Sequence, residues 1–249
     1  MGESGGRRGW ALGVLVSSAL AFAGPPSMVR AQSAASVGTA QEGHLVRGRE
    51  LPTEGDGYHF LSNRGNPAAH FGTASLVDAL IRAAAEVARA HPGSDLAIHD
   101  LSFEEGGDIR GHGSHNSGRD VDVAYYAQTA DGAPINPTTI TWFTANGRAR
   151  SEPPETASRF DAARTWLLIA ALMSDSTIRV QYVFMHPAHQ RRLLAHARRS
   201  GAERVVVRQV QSILRTPQGR RVDPHADHFH LRIHCPAPDR AHGCVDGRR

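Results

Sequence analysis

In the stretch HGSHNSGRDVD, residues 112–122, two histidines and two aspartates surround a pair of glycines. Neutral imidazoles and carboxylates are the donors taken by a borderline dication such as Zn²⁺. His115 and Asp122 stand seven residues apart, too far for one helical or strand face, but the NSGR loop between them can fold back and aim both at one point. Farther on, DHFHLRIH (227–234) holds His228 and His230 two residues apart, and the period of a strand puts both on one face. Catalytic zinc sites keep three protein ligands and an open fourth position. His115, Asp122 and one of His228 and His230 supply that count, and the other histidine then stands beside the open position, placed for proton transfer. Any one of the 15 histidines taken alone reads as a surface or core residue. The specific signal is H-x6-D followed by a distant H-x-H. Asp120, on the same strand face as Asp122, reads equally as a group orienting a ligand or as a cap on the glycine turn.

These groups need a scaffold. Residues 75–91 place Leu76, Leu80 and Val87 at helical spacing, with Ser75 and Asp78 as a capping box and Pro92-Gly93 as the stop. LAIHDLSF and DVDVAYY read as strands on either side of the Gly-rich GGDIRGHGSHNSG. Residues 128–155, rich in Pro, Gly, Thr and Asn around Trp142 and Phe143, read as a long loop and a candidate substrate wall. A second helix runs from about Ser158 to Ser174 with Ser158 and Asp161 as caps, then VQYVFM as a strand and a helix opened by Pro187. ERVVVRQVQSIL reads as helix in preference to strand. In DHFHLRIH, Phe229, Leu231 and Ile233 face the core, and His228, His230, Arg232 and His234 an open face. Without a repeated βαβ spacing, the order of elements predicts an α+β domain with a small antiparallel sheet and flanking helices.

The ends and the charge balance bound the setting. Arg7 and Arg8, the apolar run WALGVLVSSALAFA and small-residue sites ending at Ala23 or Ala31 make residues 1–31 a secretory signal peptide. The run is shorter than the roughly 20 apolar residues of a membrane span, so no stable span is expected after cleavage. Residues 32–50 carry few large apolar groups and read as a flexible connector, with folded structure from Leu51. The net charge of +4 falls to +2 without the leader, and every basic residue is arginine. No basic stripe interleaved with aromatics points to nucleic acid. In an oxidising compartment Cys235 and Cys244 pair by default, closing a loop worth about 2 to 3 kcal/mol on the chain-entropy model.

At the chemistry-bearing residues the chain resembles the penicillin-insensitive murein endopeptidases, within the larger group of lysostaphin, D-Ala-D-Ala carboxypeptidases and the hedgehog fold. The likeness runs through LPTEGDGYHFLSNRGNPAAHFG, HGSHNSGRDVDV, HPAHQ at 186–190 and HADHFHLRIHCPA at 225–237, over most of residues 51–245 and most weakly between 128 and 156. The resemblance implies a hedgehog-like zinc metallopeptidase domain over 51–249. It implies one Zn²⁺ per chain on His115, Asp122 and His230, with His228 as the catalytic histidine and His112 and His225 as auxiliary catalytic histidines lining the site. Cys235 and Cys244 fit the family's C-terminal bridge, although its members carry more cysteines. The implied substrates are peptidoglycan stem peptides and their cross-links, cut at the amide from D-alanine to a diamino acid, in the periplasm or outside the cell. Arg110, Arg119 and Arg232 would then be placed to meet stem-peptide carboxylates, although each taken alone reads as a solvated surface charge. The alternatives are a zinc D,D-carboxypeptidase acting on uncross-linked stems and a non-catalytic wall-binding module with a structural zinc.

Overall fold

The computed structural model describes residues 1–2, 34–153, 156–217 and 225–247. Positions 3–31 of the segment read as a signal peptide therefore lie outside the described residues. In chain order come β1 (Ala35–Gly38), β2 (Gly43–Val46), β3 (Arg49–Glu50), β4 (Glu54–Gly55), β5 (Tyr58–Phe60) and β6 (Phe71–Gly72), then α1 (Ala74–Ala90). β7 (Leu96–Ile98), β8 (Asp120–Ala124), β9 (Ala127–Gln128), β10 (Pro134–Ile135) and β11 (Arg159–Phe160) lead to α2 (Ala162–Ser174). The rest is β12 (Val180–Phe184), α3 (Pro187–Arg199), α4 (Arg204–Ile213), β13 (Leu214–Arg215) and β14 (His228–Ile233), so the fold is α+β. The sheet is larger than expected and mixed: its order is β13-β12-β14-β8-β7-β5-β4, parallel at β13–β12 and β5–β7 and antiparallel elsewhere. Among the described residues no helix is long and apolar enough to cross a membrane.

The helices form where an apolar stripe meets a cap. In α1, Leu76, Val77, Leu80, Ala83, Ala84 and Val87 are buried, the i, i+3, i+4 spacing of one face. Its cap is Thr73, whose hydroxyl accepts from Leu76 N, and not Ser75. The reason is tertiary, because Thr73 N donates to Gly118 O at 2.8 Å and is held extended just before the helix. Likewise α2 starts after Asp161, whose carboxylate accepts from Ala163 N and Arg164 N, while Ser158 is engaged by Glu152. α3 has Pro187 at its first position and His186 Nδ1 as its cap, and 204–213 is helical as read. Phe143, in the 128–155 loop, is buried in the core, and its N–H bonds Ala226 O at 2.9 Å.

Two expectations are corrected. Within the stretch read as a connector, residues 35–46 form the antiparallel hairpin β1–β2, and Leu45 is buried. What holds it is backbone hydrogen bonding that a hydropathy pattern does not show. Gly38 exchanges bonds with Gly243 O and Val245 N, Ser36 N donates to Asp239 Oδ2, and Leu45 N donates to Glu105 O. The partner loop at the C-terminus is closed by the Cys235–Cys244 disulfide. The second correction concerns β14, whose polar face is not open. His228 and His234 are half-buried, and His230 and Arg232 are buried, with the Gly-rich loop folded across His230.

Candidate functional site

The site lies where β8 and β14 run antiparallel. Their register sets His230 opposite Asp122 and Arg232 opposite Asp120, and directly opposite residues share a face. Asp120, Asp122, His228, His230 and Arg232 therefore crowd one face, while Val121, Val123, Phe229, Leu231 and Ile233 join the core on the other. The loop over the polar face holds His115 at φ 79°, a conformation that a non-glycine residue keeps only when its surroundings hold it. His115 N–H donates to Asp120 Oδ2 at 3.2 Å, and its carbonyl accepts from the Ser102 hydroxyl. Gly118, at φ 72°, turns the chain into β8, and a Cβ there would lie 2.6 Å from a Leu45 methyl. Asp120 thus plays both roles read for it, bracing the glycine turn and orienting His230.

Hydrogen bonding decides which ring nitrogens are free to bind. A carbonyl only accepts, so His115 Nδ1, 2.6 Å from Leu101 O, carries the ring proton and Nε2 keeps its lone pair. The Asp120 carboxylate accepts from His230 Nε2 at 2.9 Å, which turns His230 Nδ1 toward Asp122. Three donors then converge: His115 Nε2 to His230 Nδ1 is 3.2 Å, His230 Nδ1 to Asp122 Oδ1 is 2.9 Å, and His115 Nε2 to Asp122 Oδ1 is 3.4 Å. Such a convergence demands a cation, either a proton or a metal ion. Donors around a tetrahedral zinc ion at about 2.0 to 2.1 Å lie roughly 3.3 Å apart, so the set fits one. Each imidazole also gives its other N–H to a carbonyl or carboxylate, as ligating histidines do.

The protonation balance carries the same demand. Burial opposes a charge on His230, but the bonds and charges of Asp120 and Asp122 outweigh it and raise its pKa. Burial pushes Asp122 up, yet the charges of His115 and His228 and the hydrogen bond from His112 hold it well below the usual carboxylate range. Asp120 is also held low against burial, chiefly by Arg232, whose Nε lies 2.5 Å from it, and by His230.

Every residue read as a site residue reaches this region. His112 Nδ1 is 3.3 Å from Asp122 Oδ2 and its Nε2 3.0 Å from Asp100 Oδ2. Burial disfavours its charge, but caught between two carboxylates its pKa rises to about 10. His228 Nδ1 lies 2.9 Å from Asp227 Oδ1, and its Nε2 is 3.9 Å from Asp122 Oδ2, so one nitrogen is anchored and the other faces the donors. His225 sits at the rim with φ 51° and its ring 4.6 Å from that of His228. His112, His115 and Asp122 also offer donor atoms within 4.8 Å of one another.

Three neighbours were not singled out in the sequence: His99, Asp100 and Asp227. The His-Asp pair ends a strand-like run and Asp227 adjoins His228, but a short strand run alone does not say that its end meets a distant loop. The arginines depart from expectation. Arg119 is buried against Asp246 and Val245 O, and Arg232 against Asp120, so neither faces a substrate; Arg110 is exposed.

Comparison with known proteins places this arrangement. The family described as penicillin-insensitive murein endopeptidase matches residues 36–248. A protein of that name from Pectobacterium atrosepticum is 28% identical over 238 residues, covering 91% of this chain and 75% of that protein. Proteins of the same name from Klebsiella pneumoniae and Escherichia coli O157:H7 are 27% and 26% identical over 235 residues, covering 91% of this chain and 77% of each.

Proposed function

We propose, from the premise that this chain belongs to the penicillin-insensitive murein endopeptidase family, that it is a zinc-dependent peptidase cutting D-alanyl to diamino-acid cross-links of peptidoglycan. The observation that carries the reading is the convergence of His115 Nε2, His230 Nδ1 and Asp122 Oδ1, whose ring protons are committed elsewhere. These three side chains would hold one Zn²⁺. Zinc there would supply Lewis acidity for the amide carbonyl and acidify water toward neutral pH.

The remaining groups have separate tasks. Asp227 fixes the His228 ring through Nδ1 and Nε2 faces the donor set, 3.9 Å from Asp122 Oδ2; in this reading Nε2 takes a proton from attacking water and returns it to the leaving amine. His112 holds the second oxygen of Asp122, so that the first stays aimed at the ligand set. His225 lines the approach to His228. The Cys235–Cys244 bond suits an oxidising compartment, which supports action in the periplasm or outside the cell.

Digestion of purified cross-linked muropeptide dimers, followed by mass spectrometry, tests the proposal. Monomers are expected from dimers. Release of a terminal D-alanine from uncross-linked stems alone would indicate a carboxypeptidase, and no product from any substrate would leave only a wall-binding role.

A further inference from the structure

A second set of donors lies beside the first, and two of its three residues, His99 and Asp100, have no task in the reading above. β7 ends at Ile98, and the next two residues, His99 and Asp100, bring their side chains to His112 of the Gly-rich loop. His99 Nδ1 is 3.1 Å and His112 Nε2 is 3.0 Å from Asp100 Oδ2, and the three residues offer donor atoms within 4.8 Å of one another. Asp100 is buried, while the His99 and His112 side chains keep 17% and 15% of their exposure, enough for an ion to enter. One buried atom here has no hydrogen-bond partner among the described residues, Asp100 Oδ1, while Oδ2 of the same carboxylate takes His99, His112 and Asn66. Buried polar atoms without partners are rare and costly, and a carboxylate oxygen left so between two imidazoles requires an explanation.

We propose that His99, Asp100 and His112 form a second divalent-cation site for a zinc-class ion, adjoining the first. The inference shares His112 with the site proposed above and rests on that reading to this extent. Two imidazole nitrogens and a carboxylate oxygen suit zinc better than calcium or magnesium, which take oxygen ligands. His112 can serve both sites with different nitrogens. Its Nδ1 faces Asp122 Oδ2 at 3.3 Å, and its Nε2, 3.0 Å from Asp100 Oδ2, faces the second ion. Asn66 Nδ2 donates to Asp100 Oδ2 at 3.0 Å and orients the carboxylate, so that the unpartnered Oδ1 is turned to bind.

The second ion binds more weakly than the first. The Arg64 guanidinium acts on Asp100 with a charge of the same sign as the ion. The His99 ring is stacked on that of His228, with centroids 6.1 Å apart and planes at 14°. An ion on His99 would therefore fix a ring that packs against the proton carrier.

Equilibrium dialysis of the full chain against rising zinc, with bound metal counted by mass spectrometry, tests the site without reference to activity. One equivalent is expected to bind first and a second at higher free zinc. His99→Gln and Asp100→Asn should keep the first and lose the second. His99→Gln, at a half-buried position, keeps the test decisive if Asp100→Asn fails to fold. A wild-type chain that saturates at one zinc overturns the second site and leaves the first standing, as does a second equivalent undiminished in the folded variants. Retention of the first equivalent by Asp122→Asn would instead sink the ligand set of the first site.

Discussion

His230 and His189 are both buried, yet the molecule surrounds them with opposite chemistry. His230 lies on the polar face of β14 between Asp120 and Asp122, and these carboxylates outweigh the cost of burial and raise its pKa. His189, in α3, is stacked on Phe160 with centroids 4.8 Å apart and met edge-on by Tyr125 and Phe143. With no carboxylate acting on it among the described residues, burial, helped by His186 and Arg192, lowers its pKa to about 4. The difference shows that burial alone does not set the charge a histidine carries. The carboxylates on its face decide whether the site attracts or repels a cation.

The largest effect tests the attracting side. Asp122→Ala removes one donor and the charge that His112, His115 and His230 share. Bound zinc and muropeptide cleavage should both fall to background, and the fold should lose several kcal/mol, about 3 to 5, because buried imidazolium groups are left unpaired. Metal analysis and denaturant unfolding check this. Full zinc content in Asp122→Ala would break the comparison.

One step smaller is the separation of ligand from proton carrier on a single strand. His228→Ala should keep zinc near the wild-type value, while cleavage falls by roughly 10² to 10⁴, the range for removal of a positioned acid or base. Loss of zinc in this variant, or full activity, would mean that His228 and His230 have exchanged roles.

The repelling side makes a pH prediction. The pKa of His189 is about 4 in the folded chain against an ordinary value of 6.5. Between these values the unfolded chain binds more protons. Stability is therefore complete above about pH 6.5 and falls as the pH drops toward 4, by on the order of 3 kcal/mol from this group. His189→Phe should flatten that part of the stability profile, as read from urea midpoints at several pH values. An unchanged slope would show that His189 is not the group responsible.

The smallest effect concerns what braces the polar face from outside. Changing Cys235 and Cys244 together to serine should cost about 2 to 3 kcal/mol. It should also speed amide exchange at Gly38 and Val245, whose bonds join the hairpin to the disulfide loop. Zinc binding should survive, because none of His115, Asp122 and His230 lies in that loop. Loss of zinc together with the bridge would tie the two regions more closely than the contacts indicate.

Much of the fold and of the candidate site was legible because it is written in local periods. The stripe of α1, the Pro187 start of α3, and the alternation of Phe229, Leu231 and Ile233 each follow from repeats of 3.6 or 2 residues. The H-x6-D and H-x-H spacings likewise singled out the residues that now converge. What only the tertiary structure decided depends on pairing between distant segments. The β8–β14 register brings Asp122 opposite His230, across 108 residues of chain. The 35–46 hairpin is held by the C-terminal loop through backbone bonds that carry no side-chain signature. Asp100 and Asp227 take their roles only because a strand end and a strand start arrive beside His112 and His228. Spacing along the chain limits which side chains share a face, but which faces meet is set by long-range hydrogen bonding and burial, and these have no period to read.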